Sequence, residues 1–360
     1  MNKLQFRSTH IISTAQHVIH KYFIWVIILS YIIAAIYPSL GVHIRSIEVG
    51  SIDVWRTKFT VSLPPAMLAF LLFNAGLGVR TRELTSLLRN PSLLLGGALG
   101  NLFVPLAFVI GVSITMKLWH NSDETQQILT GLALVAAMPI AGASTAWAQN
   151  ANGNLAVSLG LILLTTLCSP VLTPIVLHSV GFVTTGDYSE DLHELAADGA
   201  GGFLAAWVIS PSLLGMLTHW ILGEKRAALI SPYLKLCNFG VLALLNYSNA
   251  SISLPGVVSQ TDPDFVVIML IVVILLCLVM FGAGYLVSRA FGADRAGTAS
   301  LMFGLGMNNN GAGLVLASMT LSDHPGVMLP IIFYNLIQHF VASLVDKILS
   351  RGARNRAAIH

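Results

Sequence analysis

Charge is what this sequence has least of. Only 10% of its 360 residues are Asp, Glu, Lys or Arg, against about 25% in an ordinary soluble domain. That is too little polar side chain to cover a surface exposed to water. Cysteine is scarce too: Cys168, Cys237 and Cys277 each lie in an apolar block with no C-x-x-C or C-x-x-H neighbour, which argues against a disulfide framework and against a zinc site. A strongly basic face is also missing. The formal net charge is +3 and the basic residues sit in short segments between apolar blocks, so no nucleic-acid partner is expected. An enzyme working inside a membrane would need paired mid-membrane aspartates, an H-E-x-x-H helix or a serine beside a positioned histidine. The first two are absent, and nothing supports a pairing of Ser144 with His339, so no enzyme is expected. The first apolar block, Tyr22 to Leu40, has no clean small-x-small cleavage site before it or within it, which favours a retained first span over a signal peptide.

What the chain has in excess is apolar length. Hydrophobic residues make up 55% of it, in blocks of the roughly 20 residues that cross a hydrocarbon core of about 30 Å. The lipid bilayer is therefore the expected solvent, and the fold class is an all-α polytopic membrane protein. Breaking the blocks at Gly, Pro and charge predicts ten spans, at 22–41, 61–79, 92–117, 127–149, 154–179, 199–222, 232–254, 264–290, 296–320 and 325–349. With both termini cytoplasmic, fifteen Lys and Arg residues fall inside and only Arg45, Arg56, Lys58 and Lys117 outside. This positive-inside bias supports an even number of spans.

The domain plan that follows has a cytoplasmic N-terminal segment at 1–21, a ten-helix domain at 22–349 and a basic cytoplasmic tail at 350–360, in a plasma or inner membrane. An acidic connection at 180–198, with Asp187, Glu190, Asp191, Glu194 and Asp198, falls outside as a solvated amphipathic stretch. The basic stretch Arg80–Arg89 falls inside as an anchor, and Pro91 starts the third span. Nothing in the sequence specifies an oligomeric state.

Ten spans divide into five and five, at about 22–179 and 199–349, and an odd number per half forces the second half to insert upside down. Two polar interruptions match across the halves: AGASTAWAQNANGN in the fourth span and GLGMNNNGAG in the ninth. In the ninth, Gly304, Gly306, Gly311 and Gly313 surround Asn308, Asn309 and Asn310, a run that costs about 5 to 6 kcal/mol as continuous helix relative to alanine. In the fourth, Pro139 removes a backbone donor and Gly142 weakens the next turn before Ser144, Thr145, Gln149, Asn150, Asn152 and Asn154. Both helices are expected to break, and the freed polar groups cannot face lipid. Paired interruptions of this kind are the best sequence pointer to a transporter site. Single polar residues elsewhere (Asn74, Asn101, Ser158, Thr165, Thr166, Asn238, Asn335, Gln338 and His339) are individually more often interhelical hydrogen bonds than ligands.

From about Leu71 to Leu344 the chain resembles the bile acid:sodium symporter family. The likeness is carried by N-A-G-L-G-V-R at Asn74–Arg80, G-N-L-A-V-S at Gly153–Ser158, S-P-V-L-T-P at Ser169–Pro174 and G-M-N-N-N-G at Gly306–Gly311. It implies two inverted five-helix repeats, a core and a panel domain, and fourth and ninth helices that unwind where they cross. It also implies sodium bound around the crossover. Ser144 and Ser158 match serine ligands, Thr145 replaces an asparagine, and Asn101 and Asn308 each replace a glutamine. Ile162 stands where the family has a hydroxyl ligand, and Gly304 where it has a glutamate shared by both ions. A cation here would rest on neutral oxygens and on an anionic substrate beside it.

The candidate substrate or crossover residues are Asn74, Asn150, Gly306, Asn309, Asn310, Gly311, Gln338 and His339. The expected function is a secondary transporter of a small organic anion, with no resident cofactor and sodium as the implied coupling ion. A sodium-independent carrier, whether uniporter, proton-coupled or exporter, stays open beside it.

Overall fold

A computed structural model describes residues 23–54, 57–79, 91–259 and 262–357. The N-terminal segment 1–21 and the basic stretch Arg80–Arg89 lie outside the described residues. The chain opens with helices α1 (Phe23–Ile36) and α2 (Pro38–Ser46), a hairpin of β1 (Glu48–Val54) and β2 (Thr57–Ser62), and α3 (Leu63–Leu77). Next come α4 (Pro91–Thr115), α5 (Ser122–Ala137), α6 (Ala143–Asn150), α7 (Leu155–Gly181), α8 (Asp187–Glu194) and α9 (Ala200–Leu204). The last five are α10 (Ser210–Ser259), α11 (Pro263–Ala290), α12 (Arg295–Gly306), α13 (Asn310–Thr320) and α14 (Met328–Ala357). Two compact units result, each made of two separate stretches. One takes the chain up to Thr81 with Ala205–Thr261, and the other takes Arg82–Leu204 with Asp262–His360.

In the first unit α1 and α2 meet at a bend of 95°. Pro38 cannot donate to a continuing helix but suits the first turn of a new one. Tyr247 fixes the bend, its hydroxyl donating to the Tyr37 carbonyl (2.6 Å) and accepting from the Gly41 amide (3.1 Å). Helices α3 and α10 approach backbone to backbone. A Cβ at Gly76 would lie 2.0 Å from the Ser212 carbonyl oxygen, and one at Gly215 would lie 2.0 Å from that of Phe73. Only glycine permits such an approach. The helical run through α10 leaves helical geometry at Gly223 (φ 73°, ψ 161°), between the stretches expected as the sixth and seventh spans. The predicted second span is helical only from Leu63, because β2 occupies the residues before it.

The second unit holds α4 to α9 and α11 to α14. Its centre is α5, where Ile128, Leu129, Leu132, Leu134 and Val135 are all buried. Among the described residues five helical runs are long and apolar enough to cross a membrane: Pro91–Leu118, Leu155–Gly181, Asp187–Gly256, Pro263–Ala290 and Pro325–Leu349. The bent pair α1 and α2 makes a sixth if counted as one span. This is a multi-pass, almost wholly helical membrane protein. The stretches expected as the fourth and ninth spans are each split, into α5 and α6 and into α12 and α13. Neither half therefore has spanning length by itself.

Candidate functional site

The two splits meet. Pro139 has no N–H to return to the Val135 carbonyl, and the side chain of Asn308 fills that vacancy, its Nδ2 donating to Val135 at 2.8 Å. The unwound stretches then pair as two short extended segments. Ile140 and Asn308 form an isolated antiparallel bridge. The Ala141 amide donates to the Met307 carbonyl (2.8 Å), and the Asn309 amide donates to the Pro139 carbonyl (2.8 Å). Each broken helix thus supplies the backbone partners that the other lacks, as apolar surroundings demand.

Gln338 of α14 sits under this bridge. Its Oε1 accepts from the Asn308 amide and from Asn310 Nδ2, both at 3.1 Å, while its Nε2 donates to Asn335 Oδ1 at 3.3 Å. Asn309 caps α13, its Oδ1 accepting from the Ala312 amide at 3.3 Å, and is half-buried. Gly306 lies against the Phe281 ring, which a Cβ would meet at 2.4 Å. Gly311 opens the first turn of α13 beside the Asn309 side chain. Phe303 links the neighbours, edge-on to Phe281 (6.0 Å) and stacked on Trp147 of α6 (6.2 Å).

On the other half, Thr145 Oγ1 and Ser158 Oγ share a hydrogen bond of 3.1 Å between α6 and α7. Ser144 is fully buried. Asn101 Oδ1, Ser144 Oγ, Asn308 Oδ1 and Asn310 Oδ1 are among the buried oxygens of this unit that have no hydrogen-bond partner. Oxygens in that condition suit a cation or a donor from outside the chain. The N-terminal ends of α6 and α13 meanwhile offer partial positive charge.

The remaining candidates are placed differently. Asn150 is exposed at the end of α6. Its neighbours shape the turn into α7: Asn152 takes a left-handed φ of 55°, and Asn154 Oδ1 caps Val157 at 3.2 Å. His339 is buried in α14. Asn74 belongs to the first unit, where its Nδ2 donates to Asn238 Oδ1 at 2.6 Å. Ile162 is half-buried on α7. Gly304 faces apolar groups, since a Cβ there would lie 3.1 Å from Leu161 Cδ1 and 3.8 Å from Ile140 Cδ1.

Sequence reasoning gave no separate weight to a stripe of hydroxyls on α7 at Thr165, Ser169 and Thr173. Thr165 Oγ1 accepts from the Ile140 amide (3.2 Å), and Thr173 Oγ1 donates to the Ala137 carbonyl (2.5 Å). Their spacing of four residues, which puts them on one helix face, was the available signal.

Residues 65–260 match the model of the Sodium Bile acid symporter family. The chain belongs to this family. Membership makes it a membrane transporter and not an enzyme. It is 28% identical over 292 residues to "Uncharacterized protein YbaS" of Bacillus subtilis (strain 168), a match spanning 80% of this chain and 88% of that protein. It is 25% identical over 291 residues to "Probable sodium/metabolite cotransporter BASS1, chloroplastic" of Oryza sativa subsp. japonica, spanning 78% of this chain and 65% of that one. The motifs of the first half, Asn74–Arg80, Gly153–Ser158 and Ser169–Pro174, all fall inside the matched family region.

Proposed function

We propose that this symporter-family chain moves a small organic anion by alternating access, as ten spans in two inverted repeats, about 22–179 and 199–349, with the crossover at the binding site. The observation that carries this reading is the mutual pairing of two broken helices through Ile140 and Asn308. Such a junction offers positive helix ends to an anion and unpartnered oxygens to a cation within one buried region. Asn309, Asn310, Gly306, Gly311 and Gln338 are the candidate residues nearest the substrate, with Asn150, Asn74 and His339 as further candidates. Sodium is the coupling ion in this reading, with Ser144, Thr145, Ser158, Asn101 and Asn308 as its candidate ligands. The family description and the name of the rice relative support that choice.

A second reading, sodium-independent transport, is favoured by one observation. Gly304 packs towards Leu161 and Ile140, so no carboxylate offsets a cation's charge at that point, where an uncompensated charge is costly. Uptake of labelled small carboxylates into proteoliposomes tests both readings. Uptake that falls when choline replaces sodium supports symport, and undiminished uptake supports the second reading. Asn309→Leu should insert normally and transport nothing. Parental uptake by that variant would remove the crossover as the site.

A further inference from the structure

We propose that the first unit carries an oxyanion site of its own, where Arg45 of α2 meets a buried polar face of α10, and that the group it takes is a phosphate, free or on a lipid headgroup. Its residues all belong to that unit, and none is a candidate ligand of the proposed transport site. The inference therefore stands whether or not the transport reading does. In the proposed topology Arg45 follows the first span and the stretch from Asn246 to Ser253 closes the seventh. Both then lie near the outer headgroups, where phosphate is at hand.

Helices α1, α2 and α3 all pack against α10. Gly41 brings α2 close, since a Cβ there would lie 2.0 Å from Ser251 Oγ and 3.3 Å from the Tyr247 ring. One turn further on, the half-buried Arg45 donates from Nη1 to Asn249 Oδ1 at 2.8 Å. That bond turns the other end of the Asn249 amide, Nδ2, away from Arg45. Asn246, Asn249 and Ser253 follow one another at helical spacing on one face of α10, and they are 1%, 0% and 5% exposed. Asn246 Nδ2, Asn249 Nδ2 and Ser253 Oγ have no hydrogen-bond partner. Ser248 and Ser251 show the contrast, donating back to the Leu245 (3.1 Å) and Tyr247 (2.8 Å) carbonyls of their own helix, as helical serines commonly do. Buried polar groups left without partners call for an occupant.

The chemistry of these groups selects the charge of that occupant. Two amide nitrogens can only donate, a hydroxyl can donate, and Arg45 adds positive charge. A cation would meet donors and a guanidinium. Neither α1, α2 and α3 nor the part of α10 after Glu224 contains Asp or Glu, so these helices offer it no carboxylate. A carboxylate ligand spreads two oxygens in a plane, whereas a phosphate group presents three strong acceptors. That suits two amides, a hydroxyl and a guanidinium fork, the side chain best matched to phosphate. The position has a mechanical consequence as well. Tyr247 already ties the bend between α1 and α2 to α10, and a ligand bridging Arg45 to α10 would brace the far end of α2 in the same way.

The test is thermal denaturation of the purified full-length protein in detergent, in two arms at constant ionic strength and pH. One arm titrates inorganic phosphate against chloride. The other titrates dihexanoylphosphatidylglycerol against dihexanoylglycerol, which lacks the phosphate. A saturable rise in the melting temperature of the parent is expected in at least one arm. Protection by inorganic phosphate supports a soluble ligand, and protection by the phospholipid alone supports a headgroup. In the protecting arm, Asn246→Leu and Ser253→Ala should each weaken the apparent affinity about tenfold. Arg45→Gln should remove the protection, and Arg45→Lys should keep part of it. Ser259→Ala, which removes an exposed hydroxyl of α10, should bind as the parent does. Asn309→Leu should also keep the parental phosphate affinity, and loss of protection in that variant would move the anion to the crossover and overturn the assignment. If Asn246→Leu fails to fold, Ser253→Ala and Arg45→Gln decide. No protection of the parent in either arm, or parental affinity in Arg45→Gln, would overturn the site. A parent that shows the expected phosphate pattern yet takes up no carboxylate would sink the transport reading and leave this site standing.

Discussion

Gln338 carries more of the crossover than its single amide suggests. Its Oε1 receives the Asn308 amide and Asn310 Nδ2 at 3.1 Å, and all three residues are buried. Gln338→Leu would leave two donors unpaired, at about 1–3 kcal/mol each. Gln338→Glu would keep the acceptor. The expected outcome is a fall of roughly 5 °C or more in the melting temperature of the leucine variant, with the glutamate variant closer to the parent, checked by thermal unfolding in detergent. Gly304 gives a second residue-scale expectation. Its missing Cβ points at Leu161 and Ile140, so Gly304→Glu would press a carboxylate into apolar packing. That variant should be destabilised by about 2 kcal/mol or more and should not acquire tighter sodium binding. Stronger sodium protection in that variant would contradict the packing argument.

At the scale of elements, the two breaks were legible in the sequence because their causes are local. Pro139 removes an N–H, and the Gly-Asn run from Gly304 to Gly313 is poor helix wherever it sits. What the breaks are for was less legible, because it depends on partners far along the chain. No local pattern links Asn308 to the Val135 carbonyl, or Ile140 to Thr165. The asparagines of the fourth span shared a composition with those of the ninth but not a place. Asn152 and Asn154 serve the turn into α7, whereas Asn308 and Asn310 lie inside the junction. Pro139→Ala tests whether the break is maintained by the missing donor. Restoring the N–H lets it compete with Asn308 Nδ2 for the Val135 carbonyl, which extends α5 and leaves the Asn308 amide without its acceptor. Insertion should be normal and uptake at least tenfold lower, since loss of a single buried hydrogen bond is about 1–3 kcal/mol. Parental uptake would mean that the asparagine run alone sustains the crossover.

For the whole molecule, contacts within the second unit sort the connections between helices into two sets. In one set, Tyr188 donates to Asp123 at 2.7 Å and His324 lies 3.5 Å from Asp191. The start of α5, the acidic helix α8 and the turn after α13 thereby gather at one end. In the other set, the Asn154 amide donates to the Ala296 carbonyl at 3.0 Å, and Arg295 donates to the Leu349 carbonyl. The turn before α7, the start of α12 and the far part of α14 thereby gather at another. The Lys and Arg count puts every connection of the first set outside and every one of the second set inside, so charge and contacts agree on sides without sharing an observation. The proposed topology, an even number of spans with both termini inside, is consistent with both. The expected result is that epitope tags on the N- and C-termini are reached by impermeant antibody only after the membrane is permeabilised, while a cysteine introduced at Ser322 reacts with impermeant maleimide in intact cells. A C-terminal tag open from outside would mean an odd number of spans, and with it the inverted relation of the two halves would fall.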